Sequence, residues 1–268
     1  MASPEAALGR PPRAAASATL GHRVLERVLA EGFVVGGVLL WWALSYGLPD
    51  FVMPSPWLVL KTLGRLFYDP AFLGHTVVST VRVAAAVFLA LVIGGGLALL
   101  PRAFPALDVI VHGRIKPFLN SFPSLGWAIL AVIWFEISDF TVVFVQVMIL
   151  IPFCLINIAE GLRELDQESL EMARSFTRSR TKVFVKVIVP MLVPFAVASV
   201  RISYGVAWKI ALVAELFGAD SGLGYLMLQA QTAADAATVF ATCFSIVLIF
   251  IAGEKLVIDP LARIVQHK

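Results

Sequence analysis

Six stretches of the chain are almost free of charged side chains, at about residues 28–46, 76–100, 120–135, 140–159, 191–216 and 237–258. Most approach or exceed the roughly 20 apolar residues that an α-helix needs to cross a bilayer. None shows the strict alternation of a half-buried strand. The third stretch is the shortest. It holds Pro123 and Gly126, which predicts a broken turn at its start. Non-helical backbone at membrane depth is tolerated only where protein or a water-filled cavity covers it. Gly94-Gly95-Gly96 in the second stretch would let a neighbouring helix approach closely or let its own helix bend. The pattern predicts an all-α, polytopic membrane bundle of about six helices.

The polar positions divide the rest of the chain. Residues 1–23 read as a tail, 24–71 as a first membrane helix followed by an amphipathic segment, 72–258 as the core, and 259–268 as a second tail. Between 47 and 75, three prolines precede Trp57, Leu58, Leu60, Leu63, Leu66 and Phe67, which suggests a short amphipathic helix at the outer membrane interface. Residues 217–236 read as a loop, with Gly218, Gly222 and Gly224 suited to sharp turns. If the N-terminus is cytoplasmic, 16 of the 21 Lys and Arg residues fall in inside segments and only Lys61 and Arg65 fall outside. This asymmetry places both termini in the cytoplasm.

Composition agrees with the pattern. Hydrophobic residues make up 59% of 268 and charged residues 15%, against about 45–50% and 25% in soluble domains. Mean hydropathy is +0.89. These values exclude a disordered chain, a disulfide scaffold and an ordinary cytosolic enzyme. A net charge of +3 leaves no footprint for nucleic acid. Cys154 and Cys243 lie inside apolar runs and read as small hydrophobes. The four His have no metal-ligand spacing, and no nucleophile clusters with a base, so neither a metal site nor a catalytic set is predicted.

The long polar segment is 160–190. Leu165, Met172, Ala173 and Phe176 form an apolar stripe at helical spacing. Asp166 is a candidate N-cap, and Glu168 suits the first turn of a helix. A short amphipathic helix over 167–176 follows. Periodicity alone allows two roles for it: a helix lying on lipid headgroups, or a docking element for a soluble partner.

Within this segment, Glu171-Met172-Ala173, Thr177 and Val187-Ile188-Val189-Pro190 resemble the EAA loop of ABC-importer permeases, E-A-A, three residues, G, nine residues, I-x-L-P. The spacing is kept, with Thr177 in the glycine position. Pro123-Ser124-Leu125-Gly126-Trp127, Ile133-Trp134-Phe135, Ala214-Glu215-Leu216-Phe217-Gly218 and Ser221-Gly222-Leu223-Gly224-Tyr225-Leu226 are similar to the permeases for nitrate, taurine and alkanesulfonates. The likeness covers about 72–256. It implies an importer permease in a prokaryotic inner membrane, paired with a second copy of itself, an ABC ATPase pair and an extracytoplasmic binding protein. The ATPase would sit on Glu168, Glu171, Met172, Ala173, Arg174, Phe176 and Thr177. The chain has no phosphate-binding loop, so the resemblance implies that ATP is held by the separate ATPase subunit and that the permease carries no cofactor.

Polar residues within the spans are the candidates for a solute pathway, since each ionisable group there costs ~2.5 kcal/mol or more and usually faces the bundle interior. Steps of 100° bring Tyr204, Trp208, Leu212 and Glu215 within roughly 60° of Arg201, with Lys209 about 80° away. Gln146 and Asn157 share a face of the fourth span. The predicted pathway set is Trp127, Gln146, Asn157, Arg201, Tyr204, Trp208, Lys209 and Glu215. Helix-to-helix bonding is the competing role for Arg201, Gln146 and Glu215. Arg82 is expected to snorkel to an interface. Lys209 has no acid one turn away on its own helix, which favours an anionic solute. The competing classes are a secondary transporter, which would couple through membrane acids and show an internal repeat, and a membrane-embedded enzyme, which would need the missing catalytic cluster.

Overall fold

The computed structural model describes residues 13–165, 167–177 and 179–266. The side chains of 13–24, 167–170, 174, 180 and 264–266 are outside that description. The described residues fold into helices joined by short turns: α1 (Arg13–Ser45), α2 (Pro56–Leu66), α3 (Pro70–Ala103), α4 (Pro105–Ser121), α5 (Ser124–Phe135), α6 (Asp139–Arg163), α7 (Gln167–Phe176), α8 (Thr181–Gly218), α9 (Leu223–Thr232) and α10 (Ala236–Arg263). Five of these are long and apolar enough to cross a membrane, and α4 with α5 makes a sixth candidate. The break between α4 and α5 bends the chain by 88°, at the Phe122-Pro123 step foreseen from the sequence.

Local chemistry sets the helix starts. Ser55 and Asp69 cap α2 and α3 by accepting backbone N–H bonds, each followed by proline at the first helical position. Ser138 caps α6, and Asp235 caps α10. Helix α1 begins at Arg13, well inside the stretch expected to be tail. The 217–236 segment, expected to be loop, contains α9. Leu223, Gly224 and Ala230 of α9 are buried. A polar, glycine-containing stretch can hold a helix when tertiary burial supports it.

The core is a three-helix unit of α3, α6 and α8, with α5 packed against it. Gly94 is what lets α3 and α6 touch: a Cβ there would lie 2.7 Å from the carbonyl oxygen of Ile151 and 2.8 Å from Cys154 Cβ. Across α6 and α8, Cys154 meets Ser203 at 3.3 Å, and Ser138 N–H donates to the Gly218 carbonyl. These contacts fix the two helices as antiparallel, so the bundle has an α7 end and a far end. From residue 25 onward, α1 is almost wholly exposed. It is pinned near its far end, where Trp41 stacks on Phe240 and donates to the Pro54 carbonyl.

Candidate functional site

Three places carry the polar chemistry. The first is at the far end, where α3, α6, α8 and the start of α9 converge. Arg82 is 3% exposed. Its Nη1 donates to Glu215 Oε1 at 3.0 Å and to the Ser221 carbonyl at 2.8 Å, while Nε donates to Asp139 Oδ1 at 2.8 Å. Its Nη2 reaches Asp139 and Ser221 Oγ. Glu215 accepts from Ser79 Oγ at 2.7 Å and from Gly224 N at 2.9 Å. Ser79 Oγ accepts from Leu223 N, and His75 Nδ1 accepts from Gly222 N. Gly222 adopts φ +104°, a conformation open to glycine, and a side chain there would collide with the Glu215 carboxylate.

This cluster corrects two sequence expectations. Arg82 does not snorkel, because two carboxylates and a carbonyl hold it inside the protein. Glu215 lies on the Arg201 face of α8 but is buried in this cluster, because residues 219–224 fold back over it and Gly224 supplies a backbone donor. Asp139, Ser79 and Ser221 were not picked from the sequence. The signal available was two lone charges of opposite sign, Arg82 and Glu215, each toward the same end of its span.

The second place is a groove of about 670 Å³ between α8 and α10. Arg201, Trp208, Lys209, Cys243, Phe250 and Glu254 are among its walls. Lys209 is exposed to this space and has no ion-pair partner among the described residues. Tyr204 stands beside the groove, its ring stacked on Phe250 at 5.4 Å. Cys243 is exposed here, unlike Cys154, which is buried. At the α7 end of the groove, Arg201 Nη2 lies 3.2 Å from Glu254 and 3.3 Å from Asp259.

The remaining pathway expectations do not gather at the groove. Trp127 is buried among Phe118, Phe122 and Phe144. Gln146 is fully buried in the core, and Asn157 donates to the carbonyl of Phe153 on its own helix. Gln146 is enclosed by the core while Asn157 is half-buried, so the face they share on α6 does not line this groove.

The third place is α7, whose bounds match the sequence reading residue for residue. Its stripe splits in two. Leu165 and Ala173 pack inward with Val183, Ile188 and Leu192. Phe176 is 84% exposed, Met172 is also exposed, and Glu171 stands beside them. Asp166 and the side chains of Glu168 and Arg174 lie outside the described residues. Thr177, at the position where the EAA pattern has glycine, accepts a bond from Ser179 N at 3.3 Å. Its φ is not positive, so the turn after α7 needs no glycine here.

Comparison with known proteins agrees with this architecture. Residues 107–265 match the family described as binding-protein-dependent transport system inner membrane component. The putative aliphatic sulfonates transport permease protein SsuC of Bacillus subtilis is 26% identical over 220 residues, covering 81% of this chain and 76% of that protein. The taurine transport system permease protein TauC of Escherichia coli is 27% identical over 215 residues, covering 75% and 76%. A probable ABC transporter permease protein of Haemophilus influenzae is 28% identical over 227 residues, covering 83% and 91%. The match extends over more than half of the chain and includes most of α4 and all of α5 to α10: this protein belongs to the inner-membrane components of binding-protein-dependent transport systems.

Proposed function

We propose that the chain is the permease subunit of an ATP-driven importer that carries a small anion, of the sulfonate, taurine, nitrate or carboxylate kind, into the cytoplasm. The observation that carries this reading is Lys209, an ammonium without an ion-pair partner among the described residues, in a largely apolar groove. An unpaired charge at this depth is costly in a dry bundle and is relieved by water or by an anion. An extracytoplasmic binding protein delivers the solute at the far end. A second copy of the chain faces the groove across a two-fold axis, so that two lysines raise the local positive potential. Both termini and α7 are cytoplasmic. The exposed Met172 and Phe176 of α7, with Glu171, fit a groove on an ABC ATPase, which binds ATP and moves α7 as a rigid lever. The names of the similar sulfonate and taurine permeases support the solute class.

The test is reconstitution of the full transporter in vesicles. Lys209→Met should lower anion uptake at least tenfold while ATPase copurification and basal ATP hydrolysis persist. Phe176→Asp should do the reverse, releasing the ATPase from an inserted, folded permease. Unchanged uptake by Lys209→Met, or a transporter that moves a cation, would overturn the anion reading.

A further inference from the structure

At the α7 end of the groove stands a charge cluster that uniform helical spacing would not build. Glu254 and Asp259 are five residues apart, which on an α-helix puts them about 140° apart and on different faces. Residues Glu254–Ile258 instead form a single π turn, in which Asp259 N–H bonds to the Glu254 carbonyl. A π turn gives residues five apart the relation that residues four apart have in an α-helix, roughly 40°. Both carboxylates therefore reach the one guanidinium of Arg201. One cation with two carboxylates carries a net charge of −1. Lys209 lies eight residues along α8, about 12 Å toward the far end. The groove thus has a positive middle and a negative mouth.

We propose that Arg201, Glu254 and Asp259 are a selectivity collar: they repel cytoplasmic anions from the groove and hold an arriving anion at Lys209 until the collar opens. This rests on the groove being the solute path. A simple clip between α8 and α10 would need one carboxylate on Arg201 and no excess charge. The second carboxylate, brought in only by the π turn, makes the mouth negative. All three side chains are partly exposed, so they can part without leaving a buried charge behind. When they do, Arg201 is released as a second cationic contact for the outgoing anion.

Cys243 reports on the groove directly, because it lines the wall about one turn beyond Lys209 as seen from Glu254, so a reagent entering at the α7 end passes the charge cluster and Lys209 to reach it, whereas Cys154 is buried. The full-length permease is treated in vesicles from the α7 side. The reagents are 2-sulfonatoethyl methanethiosulfonate and its 2-(trimethylammonium)ethyl counterpart, probes of similar size and opposite charge. The readout is the ratio of anionic to cationic reaction rate at Cys243. Glu254→Gln with Asp259→Asn should raise the ratio at least fivefold, Asp259→Asn alone about twofold, and Arg201→Gln should lower it. Lys209→Met should lower it whether or not the collar exists. A reactive Cys243 whose ratio ignores both Asp259→Asn and the double variant would overturn the collar and leave the groove reading standing. A Cys243 unreactive to both reagents from either side would overturn the groove as a path.

Discussion

The bundle carries an arginine with two carboxylates at each end, and the two sets are built in opposite ways. At the far end Arg82, Asp139 and Glu215 are joined by Ser79, Ser221 and backbone N–H groups, and the guanidinium and the Glu215 carboxylate are both sealed from solvent. At the α7 end Arg201 is 53% exposed and meets Glu254 and Asp259 at longer range. Burial makes the difference. A buried pair must be fully bonded or the remaining charge is stranded, whereas an exposed pair is screened and can separate at small cost. The far end is therefore a fixed joint that seats α9 on the core, and the α7 end is one that can work loose.

The largest effect that would sharpen this contrast is expected from Arg82→Met. It leaves the Glu215 carboxylate buried without its cation, a loss of about 3–5 kcal/mol. Thermal aggregation monitored by size exclusion in detergent should show most of the protein lost, and adding Glu215→Leu should restore part of it. A smaller loss, about 1–3 kcal/mol, is expected from Gly222→Val, which forces a β-branched residue to positive φ. Its melting temperature should fall, while any ATPase copurification through α7, the docking element proposed above, should be unchanged. The smallest effect belongs to Arg201→Gln. Its exposed pairs should contribute no more than about 1 kcal/mol, so its melting curve should nearly overlay the parent's. Equal losses from Arg82→Met and Arg201→Gln would break the contrast.

The parts of this architecture legible in the sequence are those that depend on one helix at a time. The apolar stretches gave the spans, and the stripe at Leu165, Met172, Ala173 and Phe176 gave α7. What escaped depends on two helices at once. Arg82 is a lone charge in its own span, and only the packing of α3 against α6 and α8 brings Asp139 and Glu215 to it. Arg201, Trp208 and Lys209 reached the groove as their helical phase suggested, but the same phase could not show that residues 219–224 cover Glu215. Glu254 and Asp259 escaped for a different reason. A constant 100° step is the assumption behind any helical wheel, and a π turn breaks it without leaving a composition signal.

The 88° break between α4 and α5 also bears on the lipid. Helix α5 has 12 residues, about 18 Å of rise, against a hydrocarbon thickness of about 30 Å. Helix α4 runs nearly crosswise to it and adds little depth. Helix α3, with 34 residues, is long enough to tilt in any bilayer. The protein thus presents one span too short and one too long within the same wall. Mismatch costs fractions of a kcal/mol per ångström, so acyl chain length bears on these two helices with opposite sign. A thicker membrane relieves α3 and strains α5, which makes membrane thickness a physical variable that this fold registers through a single kink.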